Sequence, residues 1–297
     1  MRRTVVLGAL IAIGALSVGI AGQQQRAVLP DLEKVKDNFY IIGASSPVDR
    51  GQFTGGNVGV FVTDGGVIVV DTKLAGYGPD IIAKIKAVTS KPITTIINTH
   101  THGDHTGSNE FFPASVEVVA QENTKANMEK MDAFKGDKAQ FLPDKTFKDK
   151  LTLFSGADQI DLYYFGAGHT NGDAVVVFKA LRVAHIGDLF ARKGTPLIDL
   201  NNGGSGVAYP NTVKNAAKKV KGVDQVITGH SDVFPWSAVS EYAEFNKAFL
   251  DATTASMKSG KSADDTIAAF KMPDKFKEYN MSGVKDNVTK IYAELKK

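Results

Sequence analysis

Short runs of β-branched and aromatic residues recur through the chain, separated by glycine-rich turns. Phe39–Ile42, Val58–Val62 and Val67–Val70 are the first three, with Gly55-Gly56 and Asp64-Gly65-Gly66 as turn signals between them. A helix is expected next, because Pro79 suits a first helical turn and Ile81, Ile82, Ile85 and Val88 form an apolar stripe. The strand Ile93–Ile97 then runs directly into a polar segment, Asn98-Thr-His-Thr-His-Gly-Asp-His-Thr-Gly-Ser-Asn109. A second round reads strand (116–120), helix (121–130) and a polar stretch (132–149) without clear periodicity. Strands return at Ile160–Tyr164, Ala174–Phe178 and 183–186. A loop rich in glycine and asparagine (191–206) leads to a helix near 211–221 and a strand at 225–228. Val239, Tyr242, Phe245, Phe249 and Leu250 then share one face of a C-terminal helix. Sets of short strands with helices between and outside them predict an α+β fold, two sheets sandwiched by helices.

Composition narrows the reading. The 297 residues are 43% hydrophobic, enough for one large domain or one domain with an appendage. The formal charge is +3 and no long basic run occurs, so no nucleic-acid partner is expected. There is no cysteine, which excludes disulfides, thiolate zinc sites, a cysteine nucleophile and a lipoprotein anchor. It also suits an oxidising compartment. Arg2 and Arg3, the apolar run 5–20 and the small-x-small pattern at Gly19-Ile-Ala21 read as an export signal over residues 1–21. The run falls short of the roughly 20 apolar residues of a membrane span, so a membrane partner is expected only if the signal stays uncleaved. The paired arginines fit the twin-arginine pattern poorly. Cleavage would remove two basic residues and no acidic ones, leaving a net charge of +1 and a periplasmic or secreted protein. The expected organisation is a joint at 22–34, a main domain at 35–260 and a helical extension at 261–297.

The polar segment after Ile97 holds the candidate chemistry. His100, His102, Asp104 and His105 fall within six positions in a chain with six histidines. Residues two apart at a strand end point the same way, which pairs His100 with His102. Asp104 and His105 can turn to a second position nearby. Four such groups are too many for one tetrahedral zinc that must keep an open coordination position, and they suit two metals sharing a loop. His169 (Phe-Gly-Ala-Gly-His), Asp188 (Ala-His-Ile-Gly-Asp) and His230 (Val-Ile-Thr-Gly-His) each follow a β run and a glycine turn. A polar turn explains any one of them. It does not explain why all share one context, and the set reads as a metal site.

With these residues in view, the chain resembles the metallo-β-lactamase-fold hydrolase superfamily. The family's His-x-His-x-Asp-His stands here as His100-Thr-His102-Gly-Asp104-His105, and His169, Asp188 and His230 match the later ligands in order. The resemblance covers about residues 35–235 and implies a four-layer αββα sandwich with the site at the edge of the sheets. It assigns His100, His102 and His169 to a first metal, Asp104, His105 and His230 to a second, and Asp188 to a bridge. Nitrogen and oxygen ligands without sulfur suit two zinc ions, with iron or manganese also compatible. Two metals about 3.5–4 Å apart can share a hydroxide and polarise a carbonyl or phosphoryl oxygen, with Asp104 or a metal-bound water placed to handle the proton.

The family's branches differ at Asp188 and His105. One β-lactamase subclass has cysteine in place of Asp188 and no histidine at 105, although residues 166–178 resemble its strand. The other dinuclear subclass keeps the histidine but lacks the bridging aspartate. An aspartate there is typical of the glyoxalase II, lactonase and phosphodiesterase branches. Glyoxalase II itself matches poorly in its first motif, its cytosolic setting and its glutathione-binding tail. Other residues have smaller expected roles. His185 and Asp71, on or ending strands, are read as supports behind the ligands. Arg192, Lys193, Asn201 and Asn202 lie where a substrate carboxylate could dock, and Phe53 could cover an apolar substrate. The expected activity is that of an exported dinuclear zinc hydrolase acting on an ester, lactone, thioester or amide bond of a small molecule. The rivals are a β-lactamase, a mono-iron oxidoreductase resembling persulfide dioxygenases, and a metal-binding scaffold without turnover.

Overall fold

Alternation with both faces apolar decides the layering. In the strand Val67–Val70, Val67 and Val69 face one apolar cluster, Ile68 and Val70 face another, and all four are buried. Such a strand needs cover on both sides. The computed structural model describes residues 26–45 and 51–296, and the expected export segment lies outside them. Seven strands form the first sheet in sequence order: β1 (Leu32–Lys36), β2 (Phe39–Ile42), β3 (Val58–Val62), β4 (Val67–Val70), β5 (Ile93–Ile97), β6 (Glu117–Gln121) and β7 (Lys145–Phe147). Neighbours are antiparallel up to β4 and parallel from β4 to β7. The second sheet has six, β8 (Lys150–Leu153), β9 (Ile160–Tyr164), β10 (Ala174–Phe178), β11 (Val183–His185), β12 (Gln225–Ile227) and β13 (Val233–Pro235), again in order. Only β11 and β12 run parallel there.

Three apolar layers hold four structural ones together. Helix α1 (Gly78–Lys86) places Ile81 and Ile85 on Val58, Val60, Val67 and Val69 outside the first sheet. Phe39, Phe61 and Phe178 meet between the sheets, with ring centroids of Phe39 and Phe178 4.5 Å apart. After the short helices α2 (Gly103–Thr106) and α3 (Glu122–Met128) come α4 (Tyr209–Lys219) and α5 (Ser237–Lys258). Their Tyr209, Val213, Tyr242 and Phe245 cover Val175, Val177 and Val226 of the second sheet. The αββα sandwich expected from the sequence is the fold observed. Helices α6 (Ala263–Ala268) and α7 (Val284–Leu295) then pack on α5, with Val288, Ile291 and Tyr292 against Phe249. No helix among the described residues is long and apolar enough to cross a membrane.

Differences from the expected elements have local causes. Helix α1 stops at Lys86, so Val88 falls outside the stripe and is 42% exposed. Strands β1, β7, β8 and β13 differ from the expected elements: all four are short and border the sheets, β1, β7 and β8 carry lysines that hide the apolar run, and β13 ends in proline. The first sheet therefore begins at Leu32, inside the stretch assigned to the joint. The polar stretch 132–149 contains two short 3-10 turns and β7.

Phe178→Ala should destabilise the protein by about 3–5 kcal/mol, because a cavity between two sheets cannot collapse. Urea denaturation measures it, and a loss under 1 kcal/mol would mean the intersheet packing is misjudged.

Candidate metal centre

Strand direction brings the ligand-type residues to one edge. β4 and β5 run parallel, as do β11 and β12, and β9 shares their direction because β10 is antiparallel to both β9 and β11. Asp71 therefore follows β4, the His100–His105 segment follows β5, His169 follows β9, Asp188 follows β11 and His230 follows β12. Backbone bonds close the gap between the sheets at this edge, from Ala174 N to Thr99 O (2.8 Å) and from Asn57 N to Gly229 O (2.7 Å). Close approach requires glycine at two positions. A Cβ on Gly229 would come 1.8 Å from Asp188 Oδ1, and one on Gly56 would come 2.2 Å from the His105 ring.

The loop that carries three histidines is fastened from below. Asp71 has φ +62°, a left-handed backbone that costs a non-glycine residue energy and persists where the surroundings demand it. Its buried carboxylate accepts hydrogen bonds from Thr99 N (2.8 Å) and Thr99 Oγ1 (2.7 Å) and contacts His105 Nδ1 (2.8 Å). Asp71 thus touches both Thr99, next to His100, and His105.

His102, His169, His100 and His105 share one wiring pattern, whereas the buried Nδ1 of His230 has no partner among the described residues. His102 contacts Asp199 through Nε2 (2.7 Å) and turns Nδ1 inward, 2.8 Å from His169 Nε2. His169 contacts the Leu197 carbonyl through Nδ1 at 2.7 Å. His100 contacts Thr99 Oγ1 through Nδ1, and its buried Nε2 has no partner. His105 turns Nε2 towards His230 Nε2 (3.2 Å), Asp188 Oδ1 (3.3 Å) and Asp104 Oδ2 (3.5 Å). One nitrogen tied to the scaffold and the other facing a common centre is the arrangement that fixes tautomer and orientation in metal-binding imidazoles. Three sets emerge, each with ligand atoms within 4.8 Å of one another: His100, His102 and His169; Asp104, His105 and His230; and His100, His105 and Asp188. Asp188 thus lies between the other two sets. The orphaned His100 nitrogen and a donor set of imidazoles and carboxylates fit a metal cofactor.

The two sides differ in charge. Burial holds His169 down to about 4, and burial with the neighbouring imidazoles holds His100 well below the ordinary histidine range. These rings present neutral lone pairs. Burial also opposes charge on His105 and His230, but Asp104 and Asp188 outweigh it and raise both. Asp104 in turn is held at about 2 and Asp188 well below the usual carboxylate range by His105 and His230, again against burial. Protons there occupy a place suited to a cation.

Not every candidate reaches this centre. Arg192 does, at the meeting point of two cavities. One, about 520 Å³, is lined by Phe53, Leu74, His102, Asp104, Leu197 and His230. The other, about 590 Å³, includes Ser45, Asn57, Asp232, Asn280 and Ser282. Lys193 turns the other way, to Glu241 at 3.4 Å and over the rings of Phe234 and Tyr279. Asn202 donates to Asp199 Oδ2 (2.6 Å), and Asn201 N donates to Asp199 Oδ1 (3.0 Å), so both hold a carboxylate and do not line either cavity. His185 spends both nitrogens on the scaffold, on Asn57 O and Gly187 N, at 3.2 Å each, and joins none of the three sets. Phe53 lies over His230, ring centroids 5.8 Å apart.

Sequence reasoning missed two residues here. Asp199 ends the run Pro-Leu-Ile in the same way as Asp71 ends Val-Ile-Val-Val, a signal that was present. Lys73 had none. It is fully buried, donating to the carbonyls of Gly43 and Gly56 at 2.8 Å each and so pinning the β2–β3 connection beside the metal loop.

An αββα sandwich with a histidine and aspartate cluster on its sheet edge defines a class of metal-binding proteins. Within that class, the chain belongs to the metallo-beta-lactamase superfamily, whose sequence profile matches residues 51–251. A "Metallo-beta-lactamase type 2" from Elizabethkingia meningoseptica is 28% identical over 256 residues, covering 80% of this chain and 96% of that protein. Among solved structures, a metallo-beta-lactamase from Pontibacter korlensis superposes with a TM-score of 0.63 at 21% identity, covering 74% of this chain and 99% of that one. A double mutant of the sec-alkyl sulfatase PisA1 gives 0.75 at 13% identity, covering 89% of this chain and 50% of that one. At these identities the structural likenesses show the fold.

Lys73 yields a pH test. Burial pulls its ammonium down to about 7, with Asp104 opposing. The unfolded chain, with a lysine near 10.4, then binds more protons between about pH 7 and 10, so folding stability should rise with pH across that window. In metal-free protein the rise should approach about 1.4 kcal/mol per pH unit at most. Lys73→Met should flatten it in urea titrations at pH 7, 8 and 9. Parallel slopes for both proteins would show that Lys73 stays charged.

Proposed function

We propose that the chain is an exported metal-dependent hydrolase holding two metal ions, zinc first among them, and cleaving an ester, lactone, thioester or amide bond of a small molecule. The observation that carries this reading is the pair of three-residue sets with Asp188 between them. His100, His102 and His169 would hold one ion, and Asp104, His105 and His230 the other, with Asp188 bridging. Bound divalent ions supply Lewis acidity and a nucleophilic water near neutral pH. The remaining chemistry belongs to side chains. Asp104, on the cleft wall with Oδ2 3.1 Å from His230 Nε2, would take the proton released on attack and return it to the leaving group. Phe53, Leu74 and Leu197 form an apolar wall that excludes water beside the reacting bond. Arg192 has no carboxylate partner among the described residues, which leaves its guanidinium for an anionic substrate group. Membership of a family whose members are generally hydrolases supports the reading, and the leader-like segment 1–21 supports export.

A second reading is β-lactam hydrolysis, favoured by the type 2 metallo-beta-lactamase relative. An aspartate at 188 argues against it, since the resembling β-lactamase subclasses lack that carboxylate.

Chelation followed by metal return tests the metal requirement that both readings share, and a substrate panel decides between them. Purified protein should carry about two zinc ions per chain, lose turnover on chelation and regain it with zinc. Activity on a lactone or thioester in a panel with a chromogenic β-lactam and a phosphodiester supports the first reading; turnover of the β-lactam alone supports the second. One iron per chain would sink both in favour of an iron oxidoreductase.

Arg192→Ala should raise KM about 10-fold or more for substrates bearing a carboxylate and leave kcat nearly unchanged, as expected for the loss of a charge-assisted hydrogen bond. Neutral substrates should be indifferent to it. An equal loss on both kinds would remove Arg192 from substrate recognition.

A further inference from the structure

The loop 191–206 contains only one short 3-10 turn, yet it orients two histidines of the centre. Leu197 offers its carbonyl to His169 Nδ1 (2.7 Å), and Asp199 meets His102 Nε2 (2.7 Å). Residues 199–204 bond to one another, with Asn202 N and Gly204 N donating to Asp199 O (3.2 and 2.7 Å), and Asp199 N reaches His169 O (2.9 Å). The stretch just before Asp199 is held from outside by helix α7. Lys290 Nζ donates to the carbonyl of Ile198 at 2.6 Å, the residue between Leu197 and Asp199. One turn further on, the Glu294 carboxylate accepts from Ser205 Oγ (2.6 Å) and Gly206 N (2.7 Å). Ser205 N in turn donates to Gly168 O, next to His169. The near end of the loop is fastened by Asn280, which receives Thr195 N (2.8 Å) and donates its own N–H to Lys193 O (3.1 Å).

The fastening is anchored at its own base. Val288, Ile291 and Tyr292 are buried against Phe249 of α5, so α7 cannot shift without opening an apolar cluster. Gly206 lies so close to α7 that a Cβ there would meet Ile291 at 2.6 Å. The matched family profile ends at residue 251, before α6 and α7, so this support lies outside the matched segment.

We propose that α7 is a clasp for the metal centre and that Lys290 is its positioning residue, setting the orientation of His102 and His169 through the Ile198 carbonyl. The proposal rests on the metal reading above, since it assigns Lys290 to the ion held by His100, His102 and His169. Loosening Leu197 and Asp199 together should affect that ion and spare the one held by Asp104, His105 and His230. Residues behind a metal ligand typically control affinity by about 10- to 100-fold, and Lys290 stands one bond further out, so the lower end is expected.

The test is a zinc titration of full-length, metal-stripped protein against a chromophoric chelator. The parent should bind two equivalents. Lys290→Ala should weaken one of them about 10-fold and leave the other within about twofold, and Lys290→Arg, which keeps a donor, should recover most of the loss. Cobalt-loaded Lys290→Ala should show an altered visible spectrum for the weakened equivalent. Asp286→Ala removes the exposed partner of Lys290 (2.7 Å) but keeps the bond to Ile198, and should behave as the parent. If Lys290→Ala lowers the melting temperature but leaves both zinc constants unchanged, or weakens both equally, the clasp is overturned and the metal reading stands. A parent that binds no zinc overturns both.

Discussion

One buried carboxylate, Asp71, connects the sheet to the chemistry. It sits where β4 ends and binds the residue before His100 and the ring of His105, so both ends of the histidine loop are referred to one fixed point. A carboxylate removed from water is costly unless its oxygens are occupied, and here two donors and an imidazole occupy them. The cost is recovered only in one arrangement, and that makes it specific. A shift of β4 by one residue would reverse its buried alternation and also carry Asp71 away from Thr99. The hydrophobic register of the first sheet therefore sets the geometry of the centre, and the left-handed backbone at Asp71 is the strain this coupling tolerates.

A similar device recurs around the centre with different partners. His102 meets the carboxylate of Asp199, His169 the carbonyl of Leu197, and His100 the hydroxyl of Thr99. Anionic support makes an imidazole more basic and a stronger ligand, whereas neutral support fixes direction alone. The centre is consequently graded: carboxylates gather near His105 and His230, while His100 and His169 are kept neutral by burial. Two cations bound there would not experience the same field.

The legible part of this protein was the part that repeats a simple rule. Strands buried on both faces, such as Val67–Val70 and Ala174–Phe178, read directly from their apolar runs, and the ligand-type residues stood out because each followed such a run and a glycine. The edge strands failed the same rule. Their outward positions carry lysine, so β1 and β8 show little that separates them from loop until their pairing partners are known. Asp199 followed an apolar run and was passed over, because the loop around it offered four other polar candidates. Lys73 could not have been read at all: only the fold turns a lysine after a strand end into the buried donor beneath two glycine carbonyls.

Arg192 and Lys193 show why selectivity is harder to read than ligation. They are adjacent and chemically alike, yet Arg192 faces the meeting of two cavities and Lys193 faces α5. In a strand, alternation would have decided which points inward; in an irregular loop, the decision falls to contacts made by segments far away in sequence. Here those contacts are Glu241 on α5 and Asn280 before α7, both well beyond the ligand motifs. Asp71 and Thr99 hold His100 and His105 from nearby in the chain, whereas the loop that carries Arg192, and with it the carbonyl and carboxylate that meet His169 and His102, is held by the C-terminal helices. A change in those helices therefore bears on the cleft wall and on two of the histidines together, and leaves the Asp71 end of the cluster where it is.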